Sequence, residues 1–123
     1  MEILIIVSLI LSVSAILGGY YMKYQSPKDK QMNIGFKTER AQSSLEAWKY
    51  ANATCGKYWI IMGSTFLVLG LPIEFVFYYF KGDDAKMLVL VNCTFFVANL
   101  IYWTANVSKE LNNKFDENGM SIE

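Results

Sequence analysis

An all-α membrane protein is what this sequence predicts: three transmembrane helices, with a cytoplasmic amphipathic helix in the loop between spans 1 and 2. The first observation is the spacing of charge. Residues 3–22 carry none in a run of 20, residues 87–108 none in 22, and residues 58–80 only Glu74. About 20 apolar helical residues are needed to cross a hydrocarbon core of roughly 30 Å. The second is composition, with 54% hydrophobic against 18% charged residues. The third is the clustering of seven of the eleven Lys and Arg in the segment 23–57. At 123 residues the chain has room for one membrane domain, 1–123, ending in a polar tail at 109–123.

The first span differs from a cleavable signal peptide. Only Met1 and Glu2 precede the apolar run, so there is no basic start, and the run is long enough to span. Orientation follows from the basic residues in short loops. The 23–57 loop and the tail share one side and hold nine, while the 81–86 turn holds Lys81 and Lys86. The expectation is a multi-pass chain with its N-terminus outside and its C-terminus cytoplasmic. Tyr20, Tyr21, Tyr24, Tyr58, Trp59, Tyr102 and Trp103 fall at the inner boundary, and Phe75 to Phe80 crowd the outer one.

Residues 23–42 are polar and broken by Ser26-Pro27 and Gly35, which reads as irregular chain. Ser43-Ser44-Leu45-Glu46 has Ser-x-x-Glu capping-box spacing. Leu45, Trp48, Asn52, Cys55 and Trp59 then recur at helical intervals, predicting a helix that runs into the second span or kinks at Gly56. Asn33, Lys37, Thr38, Trp48 and Asn52 are expected to gather beneath the bundle, and the tail to fray.

Asn33, Gly35, Lys37 and Thr38, followed by Ser43, Trp48, Ala51-Asn52 and Gly56, form an ordered signature over residues 33–56. It resembles that of the SdpI family of bacterial membrane proteins, whose pattern is Asn-x-x-Gly-aromatic/aliphatic-Arg-Thr, a Ser, a Trp and an Ala-Asn pair. Lys37 stands where Arg is usual, keeping charge but losing the planar two-pronged fork. Glu39 stands where many relatives have Pro. The resemblance implies a protein of the bacterial cytoplasmic membrane. It also implies a role in immunity to a secreted toxic peptide, or in signalling through a regulatory protein held at the membrane. The partner-binding candidates it implies are Asn33, Gly35, Lys37, Thr38, Ser43, Trp48, Asn52 and Gly56.

Within the spans, Gly56, Gly63 and Gly70 recur every seven residues, as do Asn92, Asn99 and Asn106. Ser8, Ser12, Ala15 and Gly19 make a small-residue stripe in the first span. A seven-residue step drifts only about 20° around a helix, so each set occupies one face. Small residues let membrane helices approach, and amides hydrogen-bond between them. These stripes serve either to hold a bundle or homo-oligomer together or to line a polar groove. Glu74 stands out, because a carboxylate at membrane depth is costly. Its depth matches that of Asn92, which is the expected donor; Lys81 or Lys86 reaching down is the alternative.

The absence of histidine excludes His bases, triads and His metal sites, and two cysteines cannot make a four-thiolate zinc site. No phosphate-binding glycine loop is present, and a net charge of zero gives no bias towards nucleic acid. Catalysis and cofactors are not expected. Cys55 and Cys93, at different depths, are not expected to pair. Three roles remain open: immunity or signalling through a peptide or protein partner; a small transporter or channel subunit using Glu74 and the Asn stripe; and a structural accessory subunit.

Overall fold

The computed structural model describes residues 2–122. It is all-helical, with no strands among the described residues. Four α-helices follow in order: α1 (Glu2–Tyr24), α2 (Leu45–Thr65), α3 (Leu71–Lys81) and α4 (Lys86–Lys114). Short 3₁₀ turns cover Ser26–Lys28, Ala41–Ser43 and Gly82–Ala85. Two continuous helical stretches, Glu2–Lys28 and Leu45–Lys114, are long and apolar enough to cross a membrane.

The second stretch doubles back on itself. Gly82 adopts φ 59° and ψ −134°, a conformation open to glycine because it has no Cβ, and the chain reverses there. Beyond the turn, Phe96 stacks on Phe66 at 4.5 Å between ring centroids. Deeper in, Trp59 Nε1 donates to Thr104 Oγ1 at 2.9 Å and Tyr58 OH to Glu110 Oε1 at 2.7 Å. Residues 45–81 and 86–114 therefore run antiparallel.

Between α2 and α3 lies a π-helical turn, Phe66–Gly70, in which the Leu71 N–H reaches the Phe66 carbonyl. Pro72 follows directly and brings no N–H of its own. The helix continues through it, so Leu45 to Lys81 form one rod of about 55 Å. No break occurs at Gly56, which lies inside α2.

The small-residue stripes are the contact between α1 and α2. Ser8, Ser12, Ala15 and Gly19 are all buried, and so are Gly56, Gly63 and Gly70. A methyl group added to Gly19 would lie 2.7 Å from the Gly56 carbonyl oxygen, and one on Gly63 would lie 2.9 Å from that of Ser12. Backbone meets backbone there, which only residues this small permit. The side chains facing outward are apolar: Ile3, Ile6, Ile10 and Leu17 on α1, Phe75, Tyr79 and Phe80 on α3, and Phe95 and Ile101 on α4. A water-facing fold inverts that arrangement; a bilayer-facing one requires it.

Two features differ from the sequence reading. The cap of α2 is Ser44, in extended conformation, whose Oγ accepts from Ala47 N at 3.0 Å. Ser43 sits one residue too early, in a 3₁₀ turn, and its hydroxyl donates to the Arg40 carbonyl. Two adjacent serines share the motif, and the one that bends into extended backbone does the capping. The tail is also ordered rather than frayed. Asp116 Oδ1 accepts from the Asn118 and Met120 amides, each at 2.9 Å, and folds the tail into a small loop. Arg40 Nη1 holds the Phe115 carbonyl at 2.9 Å, and Ser44 Oγ donates to Gly119 O at 2.7 Å. The Phe115 ring is buried against Leu111 and its neighbours.

Candidate functional site

The signature residues build a platform where the 25–44 loop meets α2. Trp48 is fully buried, and its indole N–H donates to the Ser26 carbonyl at 2.6 Å. One turn later, Asn52 Oδ1 accepts from the Phe36 amide at 2.7 Å, while its Nδ2 donates to the Trp48 carbonyl at 3.0 Å. Gly35 has φ 141°, and a Cβ there would strike the Asn52 side chain. A glycine is required on both counts. Gly56 completes the platform by admitting the backbone of α1 at Gly19 and Lys23. Met22, Phe36, Ala47, Ala51, Cys55, Val107 and Leu111 pack around Trp48.

The expected gathering is therefore partial. Thr38 Oγ1 accepts from Ala41 N at 3.2 Å and shapes the turn before α2. Asn33 and Lys37 are exposed. The Asn33 amide binds Asp29 Oδ2 at 2.9 Å and its side chain binds Gln31, so it serves its own turn and not Trp48. The close approach of Gly35 and Phe36 to Asn52 turns their neighbours outward. Ser26 escaped sequence reasoning although it is fully buried and receives the indole; its only signal was its place beside Pro27.

Burial pushes the Cys55 thiol up to about 11, opposed in part by its hydrogen bond to Thr104. It is a packing residue with little thiolate at neutral pH. Cys55 and Cys93 are both free thiols.

The second constellation lies between α1, α3 and α4. Glu74 is fully buried. Its Oε1 accepts from Asn92 Nδ2 at 2.9 Å and from Ser8 Oγ at 3.0 Å. Asn92 also reaches the Gly70 carbonyl at 3.3 Å, and Ser8 Oγ lies 2.9 Å from Cys93 Sγ. Oε2 has no hydrogen-bond partner among the described residues. Lys81 and Lys86 are exposed and do not reach the carboxyl. Of the other stripe amides, Asn99 Nδ2 turns back to the Phe95 carbonyl at 2.9 Å, and Asn106 hydrogen-bonds Tyr58. The asparagines thus share a face without forming one network.

Apolar exteriors, close-packed small-residue stripes and a buried intramembrane carboxyl define an all-helical membrane protein. The family model described as the SdpI/YfhL protein family matches residues 30–104, and the chain belongs to that family. The matched region takes in the platform loop from residue 30 onward, α2, α3 and most of α4. No curated protein and no solved structure matches the chain.

Proposed function

We propose that this protein spans the bacterial cytoplasmic membrane three times and acts in immunity or signalling by binding a toxic peptide or protein partner, without catalysing a reaction. The observation that carries this reading is that the family-matched region begins at residue 30, within the platform loop. Its inner members, the half-buried Gly35 and the buried Trp48, Asn52 and Gly56, hold the loop rigid against α2. Its exposed members, Asn33 and Lys37, stand on that fixed base as side chains a partner meets. Preorganising a loop in this way lowers the ordering cost of binding.

In this reading α1, the outward rod of α2 and α3, and α4 are the three passes. The nine-to-two division of basic residues supports a cytoplasmic platform and tail and an outer Gly82 turn. The rod exceeds the hydrocarbon thickness, which leaves its first turns, with Trp48 and Asn52, standing in the cytoplasm. Membrane-impermeant labelling of single cysteines placed at Asp83 and Lys37 tests this. Labelling at Asp83 but not Lys37 in intact cells is expected; the reverse pattern overturns the orientation.

Challenge of cells with the secreted toxic peptide tests the role. Deletion of the gene should sensitise them and re-expression should rescue. Asn33→Ala with Lys37→Ala should lose rescue at unchanged protein level. Full rescue by that variant removes the exposed loop from the mechanism. A second reading, a transporter or channel subunit, draws on the unpaired oxygen of Glu74. Solute or ion flux in liposomes that Glu74→Gln abolishes would favour it.

A further inference from the structure

We propose that Glu74 is a proton-binding site of the bundle: its carboxyl carries an exchangeable proton on Oε2. This goes beyond the partner-binding reading and does not depend on it.

Both donors that reach the side chain converge on one oxygen. Asn92 Nδ2 and Ser8 Oγ stand 2.9 and 3.0 Å from Oε1, while Oε2 is buried with no partner among the described residues. An ionised carboxylate shares its charge equally between its oxygens, so half of it would be left bare in a low-dielectric interior. A proton on Oε2 removes that charge and leaves Oε1 as the carbonyl oxygen that accepts both bonds. Among the described residues, no Lys or Arg side chain reaches the carboxyl to substitute for it. From α1 the facing group is Ser8, and from α4 they are Asn92 and Cys93, the thiol being the titratable member. On the rod itself, the near polar group is the Gly70 carbonyl, already engaged by Asn92.

A bound alkali cation fits this geometry less well than a proton. Such an ion needs several oxygens turned towards it, whereas the amide and the hydroxyl present hydrogens to the carboxyl. The thiol adds a soft donor. The site therefore has the chemistry of a hydrogen-bonded carboxylic acid.

The test uses the full chain in phosphatidylcholine liposomes with the apolar reagent dicyclohexylcarbodiimide. The acid adds across one C=N bond of the reagent: the carboxyl oxygen bonds to carbon and the proton passes to nitrogen. The O-acylisourea then rearranges to a stable N-acylurea, with no leaving group. Peptide mapping should place the adduct on Glu74 and not on the exposed Glu39, Glu46 or Glu117. Labelling should fall about tenfold per pH unit above the midpoint of titration, and sodium at constant pH should leave it unchanged. Infrared difference spectra should show an acid carbonyl stretch that shifts on hydrogen–deuterium exchange and is lost in Glu74→Gln. Should that variant fail to fold, the pH and sodium arms on the unsubstituted chain still decide. Absence of labelling at every pH, labelling indifferent to pH, or protection by sodium overturns the proposal.

Discussion

Asn52 joins loop to helix with both ends of its amide, receiving the Phe36 N–H and donating to the Trp48 carbonyl. Asn52→Ala strands a buried backbone donor, which costs about 1–3 kcal/mol. Unfolding in detergent should register that loss, and trypsin should cleave faster after Lys37 and Arg40. Asn52→Asp keeps the acceptor but forfeits the donor and buries a charge, so it should be no milder. Cys55 allows a sharper check. With its thiol near 11, maleimide labelling of the folded chain should stay slow at neutral pH and climb only in strong alkali. Rapid labelling at pH 7 would mean that the α2 platform is open. Residue types announced most of these roles, because an Asn or Trp in an apolar helix needs a partner. They could not announce Ser26, since a backbone carbonyl that receives an indole leaves no mark in the side-chain pattern.

The contact between α1 and α2 separates two adjacent glycines cleanly. A methyl on Gly18 meets the edge of the Trp59 ring at 3.3 Å, whereas one on Gly19 meets the Gly56 backbone oxygen at 2.7 Å. Gly19→Ala should therefore destabilise the pair by about 1–3 kcal/mol and Gly18→Ala by well under that. Thermal melting of the two variants in the same detergent compares them directly; equal melting points would refute the close approach. The stripes that form this contact were legible as spacing alone, because a period near 3.6 fixes which residues share a face. Capping was less legible. Ser43 and Ser44 are chemically identical, and the choice between them rests on backbone angles that no residue type records.

Across the whole molecule, the polar end is closed by two chain regions that are distant in sequence. The loop leading into α2 and the tail meet through Arg40, Ser44, Phe115 and Gly119. The Lys114 ammonium lies 4.6 Å from the centre of the Tyr50 ring and adds a cation–π contact. Removing residues 115–123 uncovers this seam. The shortened chain should be cleaved at Arg40 several-fold faster by trypsin while its helix content stays nearly constant. An unchanged cleavage rate would show that the tail only rests on the surface. Composition had marked this tail as polar chain that frays. Its apolar residues, Leu111, Phe115, Met120 and Ile122, are scattered through a hydrophilic run, too weak a signal against the base behaviour of chain ends.

The π turn at Phe66–Gly70 amounts to one surplus residue wound into an otherwise regular rod. The wide turn takes that surplus up: its five residues turn the chain by about as much as four α residues, so α3, Glu74 included, leaves in the phase of a rod one residue shorter. Straightened to α geometry with the same residues, the segment would turn α3 by about 100° and push it on by about 1.5 Å. The carboxyl would then swing out of reach of Ser8 and Asn92 towards lipid, and Ile73 or Phe75 would enter in its place. What aims the acid is therefore the width of one turn and not the identity of any one neighbour. Deleting Val68 or Leu69, which removes the surplus, should leave Glu74 in place and the melting temperature nearly unchanged. An alanine inserted at the same point, which exceeds what the turn takes up, should lower it.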